Sequence, residues 1–238
     1  LDLQAVVTRG EVPAAKLFWP SSMSKPAVAW LDRGLVAGRI ASGRALVRGD
    51  LDDWPFRNLA GRFDAVAQIE DLLLDYHDGW PRAEHVDATA RFSATGMHVE
   101  ASAGEVSGVG AAHAVADIRD FDNTELELAV QGEGKGAELL AFLNATPVGR
   151  RNADALAGLR VGGSATIDFR YDLPIKDRAA PGRLEGKLRL TDADLDQAKW
   201  KLHFTDASGP LKFDEHGVAA GPLALKHLGY PATLNLAI

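Results

Sequence analysis

The sequence predicts a mainly β protein built from antiparallel strands, and three observations carry that expectation. Apolar and polar residues alternate with a period of two through most of the chain, as in strands that turn one face to an apolar phase and the other to water. Turn signals separate these stretches: Trp54-Pro55, Trp80-Pro81, Pro181-Gly182, Ser208-Gly209-Pro210, His216-Gly217 and Tyr230-Pro231. The chain also repeats itself. Gly61 to Met97 returns without a gap as Gly182 to Val218; Gly61-Arg62-Phe63-Asp64 matches Gly182-Arg183-Leu184-Glu185, Leu74-Asp75 matches Leu195-Asp196, and Arg91-Phe92 matches Lys212-Phe213, each 121 positions on. One supersecondary unit used twice is the expected cause, and repeated units build extended surfaces rather than one enclosed pocket.

The elements follow in chain order. Lys25 to Leu35 reads as a short helix, with Val28, Leu31 and Leu35 on one face and Ser24 as its cap. Thr124 to Gln131 reads as a strand with Leu126, Leu128 and Val130 against Glu125, Glu127 and Gln131. Gly136 to about Leu159 is helical, carrying Leu139, Leu140 and Leu143, and is interrupted at Pro147-Val148-Gly149. Ala165 to Leu173 alternates cleanly: Ala165, Ile167, Phe169, Tyr171 and Leu173 against Thr166, Asp168, Arg170 and Asp172. Leu184, Leu188 and Leu190 oppose Arg183, Glu185, Lys187 and Arg189, and Ala198 to Phe204 sets Trp200, Leu202 and Phe204 against Lys199, Lys201 and His203. One-sided strands of this kind belong to antiparallel sheets, since strands buried on both faces read as continuous apolar runs. Roughly a dozen such strands offer more apolar surface than short helices cover. Periodicity leaves two architectures open: a sandwich of two sheets around a dry core, or a bent single sheet whose apolar trough takes an apolar guest.

Composition narrows the function. The 238 residues are 46% hydrophobic with a formal charge of −7, and the pI of about 5.5 argues against nucleic acid, whose binders carry basic patches. No run approaches the roughly 18 to 20 apolar residues of a membrane span. Cysteine is absent, which excludes disulfides and thiolate metal sites. The opening at Leu1-Asp2-Leu3 and the strand-like end at Ala232 to Leu236 read as a segment of a longer protein.

Catalytic and ligand motifs fail on their context. Gly132-Glu133-Gly134-Lys135-Gly136-Ala137 satisfies G-x-G-x-x-A, but the preceding strand exposes Glu125 and Glu127 and Glu133 repels phosphate, so a strand-to-helix turn is the better reading. Asp192, Asp194 and Asp196 open like a calcium loop, yet Gln197 and His203 stand where Gly and Glu are needed. The seven histidines include no His-x-His or His-x-x-x-His pair, and no G-x-S-x-G elbow exists. The aromatic-proline pairs, including Trp19-Pro20, read as strand stops whose rings pack over a sheet end, or as rings at the rim of a trough.

The stretch Ala29-Trp30-Leu31-Asp32-Arg33-Gly34-Leu35-Val36-Ala37-Gly38-Arg39, with Leu46 to Phe56, Leu74-Asp75-Tyr76-His77-Asp78-Gly79-Trp80-Pro81 and Leu140 to Arg150, resembles the central region of the YhdP-type proteins, large AsmA-like envelope proteins of Gram-negative bacteria. The resemblance implies a curved antiparallel sheet forming an apolar groove with two or three short helices. It implies one β-groove repeat over 1–121, with the helix near 25–35, and a second over 122–238, with a helical insertion near 136–159. It also implies a segment of a periplasmic lipid conduit that shields phospholipid acyl chains between inner and outer membrane, without enzyme activity, cofactor or metal. The implied partners are phospholipid acyl chains, neighbouring repeats of the same chain, and the inner membrane through a segment not present here. The residues expected to line the interior are Phe63, Ile69, Phe92, Val99, Leu126, Leu128, Ile167, Phe169, Leu188, Trp200, Leu202 and Phe213. Whether that interior is a core or a groove stays open at this point, a closed structural β-module being the alternative.

Overall fold

The computed structural model describes residues 1–19, 25–122, 125–175, 182–214 and 216–237. Ser24, Thr124 and Pro181 lie outside them. One antiparallel sheet organises everything else. Its first strands are β1 (Asp2–Val7), β2 (Gly10–Glu11) and, after helix α1 (Lys25–Gly34), β3 (Leu35–Arg48). A meander then runs through β4 (Arg62–Leu74), β5 (Ala83–Ser93), β6 (Met97–Val106), β7 (Val109–Ile118) and β8 (Glu125–Lys135). Three short helices follow, α2 (Gly136–Ala145), α3 (Pro147–Arg151) and α4 (Ala153–Leu156), and then the short β9 (Leu159–Val161). The meander resumes with β10 (Ser164–Pro174), β11 (Arg183–Gln197), β12 (Leu202–Asp214), β13 (Val218–His227) and β14 (Tyr230–Ala237).

The strand order is β1-β3-β4-β5-β6-β7-β8-β10-β11-β12-β13-β14, with β2 beside β3 and β9 beside β11. The sheet does not close: β1 pairs with β3 alone and β14 with β13 alone. The sandwich that periodicity admitted is therefore not formed. Side chains on the apolar face meet lateral neighbours and a few helices and loops, not a second sheet.

The sequence repeat is also a backbone repeat. β4 and β11 begin at Arg62 and Arg183, β6 and β13 at Met97 and Val218, and β7 and β14 at Val109 and Tyr230, each pair 121 positions apart. Left-handed residues recur at the same spacing: Asp71 and Asp192 (φ 52° and 48°), His85 and Asp206 (53° and 54°), Ser107 and Leu228 (both 53°). Register shifts between Ile69 and Leu74 in β4 and between Leu190 and Leu195 in β11 mark equivalent bulges, which bend a sheet and increase its twist. β7 and β8, on either side of position 121, pair from Gly110↔Glu133 to Asp117↔Glu127, so both halves share one sheet.

Some boundaries differ from expectation. β8 runs through Lys135 and α2 starts directly at Gly136, so Gly132 to Lys135 is ladder rather than turn; Gly132 pairs with both Ala111 and Ile167. The α2 N-terminus is closed by a capping box instead, Glu138 Oε2 accepting from the Lys135 N–H at 2.8 Å. Ala198–Trp200 forms a 3₁₀ turn, and the strand expected from Ala198 begins only at Leu202. A left-handed Lys201 (φ 55°) follows the turn and breaks the alternation.

Candidate functional site

Cross-strand partners share a face of the sheet, so the register identifies which side chains lie together. One lateral row runs Ile40, Ile69, Ala88, Ala101, Ala114, Val130, Phe169, Gly186, Phe213 and Val218, through β3 to β8 and β10 to β13. Ten strands contribute and no member carries a polar side chain. At a spacing of about 4.8 Å per strand, the nine steps span about 43 Å. A parallel row runs Val7, Gly43, Ala67, Ala90, Val99, Ala116, Leu128, Tyr171 and Leu184. A third, Ala111, Gly132, Ile167, Leu188, Leu211 and Ala220, extends the face across the second half.

The opposite face is charged. Residues directly across from one another include Arg91 and His98, His98 and Asp117, and Asp172 and Arg183. His98 Nδ1 lies 2.7 Å from Asp117 Oδ1, Arg119 reaches Glu127 at 2.6 Å, and Arg39 reaches Glu70 at 2.8 Å. Exposed pairs of this kind contribute little stability, of order 0 to 1 kcal/mol each, but opposite charges across strands favour this register.

Ten of the twelve residues expected to line the interior lie on the apolar face: Phe63, Ile69, Phe92, Val99, Leu126, Leu128, Ile167, Phe169, Leu188 and Phe213. All ten are half-buried. Trp200 stands apart in the turn between β11 and β12, 60% exposed, with Lys199 Nζ 6.0 Å from its ring centre. Leu202, paired with Gln197 beyond the bulges, is 37% exposed. The reading of the residues missed Ala88, Ala90, Ala101, Ala114 and Ala116, whose alternation in β5 to β7 was the available signal but whose small side chains carry little hydrophobicity.

Helices and loops hold the margins of this face at the strand ends. Leu139 of α2 joins a buried cluster with Ala165, Leu190, Ala193, Ala207, Ala220, Leu223 and Leu225. The Phe142 ring meets Trp80 at 6.1 Å and Arg150 donates to the Gly79 carbonyl at 2.9 Å, joining this helical segment to the β4–β5 connection. At the other strand ends, Trp54 packs edge-on against Phe56 and Phe63, both at 5.5 Å. Arg57 reaches Asp120 and Asp122 at 2.6 and 2.7 Å, and these carboxylates hold its guanidinium pKa above the usual value. Trp54 thus packs at the start of β4 and Trp80 against α2. Burial pushes Tyr76 up to about 12, with Asp75 adding to the shift, and also raises Tyr171 on the apolar face.

The fold is that of a mainly β protein built on one open antiparallel sheet with a charged face and an apolar face. Across its whole length, residues 1–238, the chain matches the family described as YhdP protein, and it belongs to that family. No curated protein and no solved structure matches it. Membership is consistent with a lipid-transport role in the cell envelope, and no helix among the described residues is long and apolar enough to cross a membrane.

Proposed function

We propose that this chain is a segment of a periplasmic lipid conduit whose apolar face shields phospholipid acyl chains moving between inner and outer membrane. The observation that carries the reading is the ten-strand row from Ile40 to Val218, apolar at every position and covered by no second sheet. Each methylene moved from hydrocarbon into water costs about 0.8 kcal/mol, so a two-chain lipid crossing water bare meets a barrier of roughly 20 kcal/mol. A continuous apolar surface removes most of that barrier. The ten-strand row is aliphatic, aromatic and glycine, without a polar side chain, so the chains slide rather than lodge. The polar head stays on the open side and needs no reaction and no cofactor. An inner-membrane anchor elsewhere in the protein and neighbouring repeats that lengthen the face complete the proposal.

Native mass spectrometry with lipid extraction, on the chain purified from bacterial membranes under mild conditions, tests it. Phospholipid bound at a reproducible ratio and lost in Phe169→Asp, with the circular dichroism of the sheet retained, is the expected result. A folded chain that carries no phospholipid contradicts the reading and favours a lipid-free structural role.

A further inference from the structure

Near the β6–β7 turn, Glu84 of β5 stands directly opposite Glu105 of β6, an arrangement in which like charges repel. His85, in the left-handed backbone noted above, completes a group in which one donor atom each from Glu84, His85 and Glu105 lies within 4.8 Å of the others. Asp71 Oδ1 lies 2.7 Å from His85 Nδ1, which fixes the ring and leaves Nε2 open. Among the described residues no Lys or Arg pairs with Asp71, Glu84 or Glu105.

The repeat supplies an internal comparison. The residues 121 positions after Asp71, Glu84, His85 and Glu105 are Asp192, Thr205, Asp206 and Lys226. There Lys226 Nζ lies 2.8 Å from Asp206 Oδ2, so an ammonium stands where the first copy has a carboxylate. The second group carries two carboxylates and one cation, a formal charge of −1. The first carries three carboxylates and an imidazole, −3 with the ring neutral, and Asp87 (replaced in the second copy by Ser208) hydrogen-bonds the Asp71 N–H at 2.9 Å and adds another. On a backbone of the same shape, the second copy offsets part of its charge with a lysine and the first does not.

We propose that Glu84, His85 and Glu105 bind a divalent transition-metal ion, with zinc the best match, and that Asp71 is the positioning residue for His85. One imidazole and two carboxylates, with water in the fourth place, is a donor set zinc accepts in tetrahedral geometry. Magnesium and calcium favour oxygen donors throughout, and the imidazole tips the selection toward zinc. A carboxylate on the far nitrogen of a metal-binding histidine sets its tautomer and orientation, the part Asp71 is placed to play. The bound ion would tie β5 to β6 across the bulge that begins at Glu84 and stabilise the fold by mass action. This inference is independent of lipid binding.

Isothermal titration of the chelator-treated chain with zinc chloride, paired with thermal unfolding, tests it. The expected result is one saturable zinc ion per chain and a raised unfolding temperature. Affinity should fall by at least about tenfold in His85→Ala and in Glu105→Lys, the latter installing the second copy's lysine, and by a smaller factor in Asp71→Asn. His85 is exposed and Glu105 half-buried, and circular dichroism checks the folding of both variants. Absence of saturable binding overturns the proposal, as does stoichiometric binding that survives both variants. Magnesium binding with equal affinity overturns the choice of a transition metal.

Discussion

Asp71 and Asp192 hold the same left-handed backbone in equivalent bulges 121 positions apart, and each N–H is taken by the residue 16 positions on, Asp87 Oδ1 at 2.9 Å and Ser208 Oγ at 3.0 Å. The two copies thus share a local device as well as a length. In an open sheet this device matters, because the bulges bend β4 and β11 alike and keep both copies' apolar residues on a common face.

A β-branched residue at positive φ costs about 1 to 2 kcal/mol, so Asp192→Val should lower the urea midpoint, whereas Asp192→Gly, free of that cost, should leave it near the wild-type value. Equal losses in both variants would mean that the carboxylate, not the backbone shape, is what the position needs.

Gly186 lies between Phe169 and Phe213 in the apolar row, and a Cβ there would collide with the Phe213 ring. Gly186→Ala should displace the ring and destabilise the protein by about 1 to 3 kcal/mol, the usual range for overpacking. Equilibrium denaturation of the variant measures it.

Leu139 is the α2 side chain set into the cluster around Ala165, Leu190 and Leu223. Leu139→Ala should cost about 2 to 4 kcal/mol. Hydrogen exchange should show the loosening first in α2 and in the β9–β11 pairing.

Tyr76 gives a pH signature. Burial pushes its folded-state pKa up to about 12 from the ordinary 10.0 of tyrosine, so the folded protein holds the phenolic proton after the unfolded chain has released it. The stability this contributes is complete below about pH 10 and is lost as pH rises toward 12. Absorbance titration should show a late-ionising tyrosine that disappears in Tyr76→Phe.

Much of this architecture was legible in the sequence because strand alternation and a gapless repeat are direct consequences of backbone geometry. Ile167, Phe169 and Leu188 declare their face by alternating with Asp168, Arg170, Lys187 and Arg189. Trp200 was misplaced because a left-handed Lys201 interrupts an alternation that reads as continuous. The choice between an open and a closed sheet depends on whether two apolar faces meet, which period two does not encode; the resemblance pointed to the open form and the topology shows it. The Glu84, His85 and Glu105 group has no short-motif signature because its donors come from adjacent strands, Glu105 standing opposite Glu84 beside a bulge rather than at any short spacing.

In the proposed function one face of the sheet meets acyl chains and the other does not. Photo-crosslinking residues placed singly at 166 to 171 in β10, in protein expressed in bacteria, test it most directly. Phospholipid adducts are expected at 167, 169 and 171 and at none of 166, 168 and 170. Adducts without that alternation, or at no position, would contradict it.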